Sequence, residues 1–331
     1  VAVGDLDANG RADILIVQNR SLDSFTTESL IYRGTPDGFD AEPIRLESHD
    51  ARRGFIARTS DEDTPQVILT SNFARSASDD LNNVIYFGSE NGFSADHRKE
   101  IAGWGAFNAL YADLNDDGLP DLVSANGAEF SAAKDPGSFV FYNRADGLPE
   151  SPDQVLPTSA ATVAVCADLD RNGYLDLVFC GYRRPEILIF PGGPDGYEAR
   201  NKVVIPLQVD GVPYGFLFSL FLVDLNRNGW LDLVVGGGNE DKALILWGGP
   251  DGHSLERRQV LATYIPRSIT AADLNGNGFP DLIFGARKPQ LSGPHDAFLY
   301  VYWNGPEGLR DDRRTMLPVK STNGIAVGDF N

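Results

Sequence analysis

A nine-residue acidic segment recurs five times in this chain of 331 residues, and it limits the possible folds more than any other feature. Each copy has Asp or Asn at positions 1, 3 and 5, Gly at position 6 and Asp at position 9. The copies, numbered loops 1 to 5, are DLDANGRAD (5–13), DLNDDGLPD (113–121), DLDRNGYLD (168–176), DLNRNGWLD (224–232) and DLNGNGFPD (273–281). Loops 2 to 5 start 55, 56 and 49 residues apart, whereas loops 1 and 2 start 108 residues apart, which is two periods. We therefore expect a degenerate copy in RTSDEDTPQVIL (58–69) and the start of another in Asp329-Phe330-Asn331.

Every period has the same internal order of short extended segments. An apolar run such as VAVG (1–4) precedes the acidic loop, and a β-branched run such as DILIV (13–17) follows it. A third run ends in an aromatic residue, a glycine turn such as TPDGF (35–39) follows, and a more polar piece such as VVIPL (203–207) closes the unit. Runs of this length between Gly, Pro, Asn and Asp, without a helical period, predict β-strands. The aromatic residues expected to pack between neighbouring units are Tyr32, Tyr86, Tyr142, Phe190, Trp247 and Trp303.

Four short strands in each of six periods predict an all-β chain, specifically a β-propeller of four-stranded antiparallel blades. One such sheet cannot bury both of its faces, so neighbouring blades are expected to stack. We expect a single propeller domain over residues 1–331, with blades at about 1–53, 54–105, 106–160, 161–215, 216–265 and 266–322 and a partial unit at 323–331. Six complete repeats and the first strand of a seventh favour a seven-bladed ring within a longer chain or assembly. The alternative is a ring of blades that closes in another way.

The acidic loop has the donor pattern of a calcium site. Positions 1, 3 and 5 place side-chain oxygens inside a tight loop, Gly at position 6 permits the turn, position 7 offers its carbonyl, and Asp at position 9 closes the cage. About seven hard oxygen donors in a flexible arrangement suit Ca²⁺ better than Zn²⁺ or Mg²⁺. The predicted side-chain ligands of about five structural Ca²⁺ ions are Asp5, Asp7, Asn9 and Asp13; Asp113, Asn115, Asp117 and Asp121; Asp168, Asp170, Asn172 and Asp176; Asp224, Asn226, Asn228 and Asp232; and Asp273, Asn275, Asn277 and Asp281. The predicted carbonyl ligands are Arg11, Leu119, Tyr174, Trp230 and Phe279.

Two other interpretations of the acidic loop are less favoured. An EF-hand has Glu at position 12 and flanking helices, whereas β-branched runs follow position 9 here. A turn rich in Asp and Asn without an ion would account for a single copy. Five copies with the same spacing favour an ion, because close carboxylates otherwise repel one another by about 1 kcal/mol or more per pair.

The unit VAVGDLDANGRADILIV … SLIYRGTPDGF resembles the FG-GAP/VCBS repeat of integrin α-chain heads and of many secreted bacterial proteins. The resemblance covers nearly the whole chain, although the second unit (about 54–107) lacks the calcium loop. It implies a calcium-stabilised propeller, most often with seven blades, that works outside the cytosol. It implies no single activity, since such repeats occur in adhesion heads, in lectins and in propellers of polysaccharide-degrading enzymes.

Composition narrows the range of partners. The chain has 47 acidic and 28 basic residues and a formal charge of −19, which argues against binding to nucleic acid or an anionic membrane. It has no apolar run of about 18 residues, so we expect no direct membrane insertion. It shows no initiator Met and no signal peptide, and any targeting segment is expected to have been removed or to lie outside this sequence. Cys166 and Cys180 flank loop 3. They are expected to be two small buried apolar side chains, and a disulfide between them is the less favoured alternative.

The sequence offers no catalytic constellation. Its histidines are dispersed, no catalytic residue is assigned, and His253 is expected on the surface of a turn. The longest connections should gather on one side, because each joins the second strand of a unit to the third; they are 19–29, 71–83, 126–138 and 287–297. Their Phe, Arg, Asn and Asp residues suit a sugar or a protein loop. We predict an extracellular or cell-surface recognition or adhesion module with a protein or glycan ligand; the alternative is a carbohydrate-active enzyme (polysaccharide lyase or hydrolase) or its propeller scaffold.

Overall fold

The protein is described by a computed structural model that covers residues 1–19, 21, 23–58, 65–72, 82–89, 92–127, 135–237, 241–286, 297–320, 322 and 324–328. These residues form 28 strands and one short 3-10 helix, Ala199–Asn201. The prediction of an all-β chain is therefore confirmed. None of the described helical segments has the length and apolar character needed to cross a bilayer.

The described strands form six four-stranded antiparallel sheets and two two-stranded ones. The strands of the first repeat are β1 (Ala2–Gly4), β2 (Asp13–Ile16), β3 (Thr26–Tyr32), β4 (Gly34–Thr35), β5 (Gly38–Phe39) and β6 (Ile44–His49). The next two repeats contain β7 (Ala51–Arg58), β8 (Pro65–Ser71), β9 (Asn83–Phe87) and β10 (Arg98–Ile101), then β11 (Ala106–Ala112), β12 (Asp121–Asn126), β13 (Ser138–Phe141) and β14 (Gln154–Leu156). The fourth contains β15 (Ala161–Ala167), β16 (Asp176–Gly181), β17 (Glu186–Phe190) and β18 (Val203–Pro206), and the pair β19 (Gln208–Val209) and β20 (Val212–Pro213) follows. The last two contain β21 (Leu217–Val223), β22 (Asp232–Gly237), β23 (Lys242–Leu246) and β24 (Arg258–Ala262), then β25 (Pro266–Ala272), β26 (Asp281–Ala286), β27 (Ala297–Tyr302) and β28 (Arg314–Val319).

Strand order within each four-stranded sheet follows chain order, as it does in a β-propeller blade. The sheets are β1-β2-β3-β6, β7-β8-β9-β10, β11-β12-β13-β14, β15-β16-β17-β18, β21-β22-β23-β24 and β25-β26-β27-β28. The chain divides into two compact units, residues 1–164 with 194–199 and residues 165–193 with 200–331. Residues 324–328, expected to begin a seventh unit, are described and form no strand, so the partial unit stays a prediction.

The second strand of a repeat is the most deeply buried one. All six residues of β12 are buried, and the same holds for β16, β22 and β26. Such a strand is covered on both faces, which explains why these runs are continuously apolar rather than alternating. By contrast, Val203 and Val204 on the fourth strand β18 are 44% and 43% exposed. The β-branched run after each of loops 2 to 5 therefore provides a fully buried strand of its sheet, whereas Ile16 after loop 1 is 36% exposed.

Each unit has its own apolar core. In residues 1–164 with 194–199, one cluster joins Leu15 and Val67 and another joins Ile68 and Leu122. In the second unit a cluster joins Val234, Phe284 and Tyr302 with their neighbours. Because these clusters combine strands of neighbouring repeats, a single repeat is stabilised by the sheets beside it.

The aromatic residues at the end of the third strand occupy two different register positions. Tyr86 and Phe190 lie at the buried position and are fully covered, as expected, whereas Tyr32 has the same register and is only half-buried. In three other repeats the buried position belongs to the preceding residue, which is Phe141, Leu246 or Tyr302, each 0% exposed. Tyr142, Trp247 and Trp303 consequently lie one residue further on and are half-buried. The predicted positions were equated because each is aromatic. The hydrogen-bonded register shows that the equivalent position in three repeats is one residue earlier.

In two repeats a buried tyrosine near the end of the third strand links its sheet to the neighbouring sheet. In the first unit the Tyr86 hydroxyl donates to the Glu47 carbonyl at 2.8 Å, and Arg98 donates to the same hydroxyl at 3.2 Å. In the second unit the Tyr302 hydroxyl donates to the Ala262 carbonyl, and Arg314 donates to that hydroxyl at 2.8 Å. Arg98 pairs with Tyr86 and Arg314 with Tyr302 across adjacent strands, so the same clamp occurs in two repeats.

Several expected features lie outside the described residues. They include most of the degenerate loop near residue 60, the terminal Asp329-Phe330-Asn331 and most of the long connections at 71–83, 126–138 and 287–297. No disulfide joins Cys166 and Cys180; Cys166 is half-buried and Cys180 is buried, in agreement with the favoured interpretation.

Candidate metal centres

The Asp at position 9 connects its acidic loop to the third strand of the same sheet. One carboxylate oxygen accepts the N–H of position 2 at 2.7–3.0 Å. The other accepts, at 2.7–2.8 Å, the N–H of the residue two positions after the third strand. These second donors, called post-strand residues below, are Gly34, Asn143, Gly192, Gly248 and Asn304. All five aspartates are at most 2% exposed, so the backbone donors provide the compensation that a buried charge requires.

The oxygens at positions 1, 3 and 5 are gathered by backbone N–H groups of the loop itself. The N–H of position 5 donates at once to position 1, at 3.0–3.1 Å, and to position 3, at 3.0–3.2 Å. The N–H of position 6 reaches the second oxygen of position 1, and that of position 7 reaches the position 5 side chain at 2.8 Å. One shared donor brings the oxygens of positions 1 and 3 together in all five loops.

Two left-handed residues give the loop its tight turn. The glycine at position 6 has φ of 79–90° in the five loops, as expected from its lack of a Cβ. Position 4 is also left-handed, with φ of 59–70°, although it is a non-glycine residue in four loops: Ala8, Asp116, Arg171 and Arg227. This conformation costs a non-glycine residue roughly 1 kcal/mol or more, and the hydrogen bonds within the loop must offset that penalty. The residue types at position 4 share no feature that predicts this conformation.

Position 5 also contacts the third strand. In four loops it is Asn, and its Nδ2 donates to the carbonyl of the post-strand residue at 2.9–3.4 Å. In loop 2 it is Asp117, which has no donor, and there Asn143 donates in the reverse direction to the Pro120 carbonyl at 3.1 Å. Asn304 does the same to Pro280 at 3.0 Å. Each loop is therefore fastened to the third strand by at least two hydrogen bonds.

In two loops three carboxylates converge. One oxygen each of Asp5, Asp7 and Asp13 lie within 4.8 Å of one another, and so do those of Asp168, Asp170 and Asp176. The other three loops have Asn at position 3, which gives the same oxygen with less charge. In loops 1 to 4 each position 9 oxygen accepts one of the hydrogen bonds given above and keeps a lone pair for a cation, whereas in loop 5 Asn275 also donates to both oxygens of Asp281 at 3.3 Å. The donor set, all oxygen and partly anionic, fits Ca²⁺.

Burial raises the pKa of three position 9 carboxyls. The pKa of Asp121 rises to about 6 because of burial and the nearby charges of Asp117 and Asp113, although two backbone donors oppose the shift. Burial and the charge of Asp224 raise the pKa of Asp232 to about 6, and Asp176 shifts in the same direction. A divalent cation would remove this penalty, because an adjacent positive charge favours the ionised form.

The structure brings together the predicted side-chain ligands within each loop, and it also shows what sequence reasoning missed. The post-strand residues and the left-handed position 4 belong to the same construction, yet they carry no charge pattern. His253, expected on the surface of a turn, is instead half-buried, and its Nε2 lies 2.8 Å from the Leu231 carbonyl beside loop 4. Burial lowers the pKa of His253, which favours a neutral, structural ring.

Comparison with known proteins agrees with this loop architecture. A family model described as FG-GAP-like repeat matches residues 113–179 and 224–284, and each stretch begins at position 1 of an acidic loop. The chain contains FG-GAP-like repeats. The two matched stretches hold loops 2 and 3 and loops 4 and 5, so the repeats include four of the five candidate centres.

Proteins with sequence similarity to this chain include integrin α-chains. Integrin alpha-5 of Xenopus laevis is 26% identical over 198 residues, which are 54% of this chain and 19% of that protein. Integrin alpha-8 of Homo sapiens is 29% identical over 157 residues, 42% of this chain and 15% of that protein. The matched regions thus span a fifth or less of these relatives. A chain in a crystal structure of BBS1N in complex with ARL6DN, soaked with lead, shares 10% identity and a TM-score of 0.55, covering 97% of this chain and 82% of that one, a likeness of fold alone.

Proposed function

We propose that this chain is a calcium-binding β-propeller module for recognition or adhesion, in which Ca²⁺ has a structural role. The observation that carries the proposal is a hydrogen-bonded framework shared by five loops, in which the position 5 N–H donates to position 1 and side-chain oxygens come from positions 1, 3, 5 and 9. Ions would be held by these residues and by the position 7 carbonyls, and each would neutralise a cluster that contains at least two carboxylates. Five ions, carrying +10, would change the formal charge from −19 to −9.

The charge of each loop suggests an order of affinity. Loops 1, 2 and 3 each have three carboxylates among positions 1, 3, 5 and 9, whereas loops 4 and 5 each have two. Because calcium affinity rises with the number of charged ligands, loops 4 and 5 should bind most weakly. Weak sites of this kind are occupied at the millimolar calcium levels typical of extracellular modules. This supports a location outside the cytosol, as does the similarity to integrin α-chains.

The six four-stranded sheets support blades at the boundaries given above, within one propeller domain that a seventh blade would complete. The partner would be a protein or a glycan bound within a larger assembly, and the integrin relatives favour a protein. The long connections between second and third strands supply the expected contact residues.

Calcium removal tests the proposal directly. For one site, an ion at 100 times its Kd stabilises the folded state by about 2.7 kcal/mol, so EDTA should lower the melting temperature by many degrees and Ca²⁺ should restore it. Mg²⁺ at the same concentration is the control and should restore it poorly, because it prefers rigid octahedral sites. Ion binding should saturate near five per chain. Unchanged melting in EDTA and Ca²⁺ would refute the structural role of calcium.

The partner is tested separately. The chain is applied to a glycan array and to immobilised extracellular-matrix proteins, with Ca²⁺ and with EDTA. Calcium-dependent retention on either surface supports a recognition module and names the ligand class. In a second assay the chain is incubated with acidic and neutral polysaccharides. Shortened products would argue against a recognition module and support the alternative, a carbohydrate-active enzyme.

A further inference from the structure

An arginine at position 4 extends from one acidic loop to the acidic loop of the next repeat, and this occurs twice in the second unit. The guanidinium carbon of Arg171 in loop 3 lies 4.2 Å from the ring centroid of Trp230 in loop 4. The same guanidinium donates to the Gly229 carbonyl. Arg227 in loop 4 lies over the Phe279 ring of loop 5 at 5.4 Å. Both arginines are exposed residues in the left-handed conformation, so each starts from the apex of its own loop.

The contacted residues are those that shape the next calcium cage. Gly229 and Trp230 are positions 6 and 7 of loop 4. The Gly229 N–H donates to Asp224 at 2.7 Å, and the Trp230 N–H donates to Asn228 at 2.8 Å. Arg171 therefore holds the Gly229–Trp230 peptide, whose N–H orients Asn228, and it lies against Gly229, whose own N–H orients Asp224. The Trp230 carbonyl is itself an expected ligand.

The geometry recurs one repeat later. A Cβ at Gly278 would lie 2.9 Å from Nη1 of Arg227, and a Cβ at Gly229 would lie 2.5 Å from Nη2 of Arg171. Each guanidinium thus lies directly against the position 6 glycine of the following loop. Gly278 and Phe279 in turn donate to Asp273 at 2.7 Å and to Asn277 at 2.8 Å. Two independent repeats place the same side chain on the same part of the next cage.

We infer that Arg171 and Arg227 are positioning residues that preform the calcium cage of the following repeat and couple ion binding in loops 3, 4 and 5. The inference rests on the proposed calcium function. Arg227 lies between Asn226 and Asn228, two expected ligands of loop 4, so an ion that orders loop 4 also orders the side chain that supports loop 5. Loops 1 and 2 have Ala8 and Asp116 at position 4 and lack this device.

The chemistry of arginine suits this role. Its planar guanidinium can stack on an aromatic face and donate in its own plane, which the compact ammonium of lysine cannot reproduce. By charge alone, a guanidinium would repel a cation in the neighbouring loop, and its removal would tighten calcium binding. If the arginine positions the loop, its removal should weaken calcium binding instead. The direction of the change in calcium affinity therefore distinguishes positioning from charge repulsion.

The test compares Arg171→Ala, Arg171→Lys and a control, Arg184→Ala, in the full chain. Arg184 is also in the second unit, with a side chain that is 69% exposed. Ion binding is followed with Ca²⁺ by calorimetry and with Tb³⁺ by luminescence sensitised through tryptophan, and the loop 4 component is the part lost in Asp224→Ala. Both Arg171 variants should weaken that component by about five-fold or more, within the usual range for coupled sites, while the control should bind as the wild type does.

A second readout needs no ion. In EDTA, hydrogen exchange at the amides of Gly229 and Trp230 should be faster in Arg171→Ala than in Arg184→Ala. Wild-type binding or tighter binding in both Arg171 variants, or unchanged exchange, would overturn the inference and leave the calcium proposal standing. Absence of Ca²⁺ and Tb³⁺ binding to the wild type would refute the calcium proposal and the coupling with it.

Discussion

Replacing Asp232 by Asn should destabilise the protein even when no calcium is present. The Asp232 carboxylate is 0% exposed and accepts the N–H of Leu225 at 2.9 Å and that of Gly248 at 2.8 Å, one on each oxygen. An amide has a single acceptor oxygen, so its NH₂ group would face the second buried donor. Losing one hydrogen bond and leaving its buried donor unpaired costs about 1–3 kcal/mol.

The matched control is Asp224→Asn in the same loop. Asp224 also accepts two backbone N–H groups, from Asn228 and Gly229, but those residues are exposed, so water can replace the lost acceptor. We expect a loss below about 1 kcal/mol for this variant. Urea denaturation in EDTA at pH 5 gives both unfolding free energies. The pKa of Asp232 is about 6, so its buried carboxyl is mostly protonated at that pH and the substitution removes no buried charge.

A loss for Asp232→Asn no larger than that for Asp224→Asn would refute the reasoning that position 9 serves the fold as well as the ion. In millimolar Ca²⁺ both variants should lose the stabilisation that loop 4 contributes. The difference between the measurements with and without Ca²⁺ therefore separates the structural hydrogen bonds of position 9 from its role as a ligand.

Two further predictions concern other groups. In EDTA, the pKa of both Asp121 and Asp232 is about 6 in the folded protein, against an ordinary value of 3.8. Between about pH 4 and pH 6 the folded state therefore binds more protons than the unfolded chain. These two groups should lower the unfolding free energy as the pH rises through this range. Urea midpoints measured across this range should show a smaller fall in Asp232→Asn, and an identical pH profile in that variant would contradict the assignment. Tyr302→Phe should cost about 1 kcal/mol, because the Ala262 carbonyl loses the hydroxyl but keeps Arg314 at 2.6 Å. Tyr300→Phe, on the same strand, is the control in the same denaturation assay, and an equal effect of the two substitutions would argue against the inter-sheet clamp.

Much of the fold could be predicted because it is written in local patterns. The period of the acidic loops, the β-branched run after each and the glycine turn after the third strand all act within a few residues, where the covalent chain fixes the spacing. Pairing of the first strand with the second, and of the third with the fourth, follows from those turns, whereas the second and third strands pair across the longest connections. The residues at positions 1, 3 and 5 were likewise identifiable, because alternate side chains in a tight turn lie on one side.

The register of the third strand could not be predicted in this way. Tyr142 and Phe141 are both aromatic, and their sequence gives no reason to bury one rather than the other. The hydrogen bond from Asn143 to Asp121 fixes the register and places Phe141 in the core. The same bond shows that Asp121 holds the third strand, a role that the calcium pattern by itself conceals.

The sequence by itself determined the repeat, the strand content and the chemical identity of the oxygen donors, since these depend on residue type and on spacing along the chain. Tertiary structure decided which groups those donors also serve. The position 9 carboxylates accept N–H groups 16–23 residues away, and Arg171 contacts a carbonyl 58 residues away. Contacts over such distances form only after the sheets have packed, because packing supplies both the burial that makes an unpaired donor costly and the alignment that allows one loop to support the next.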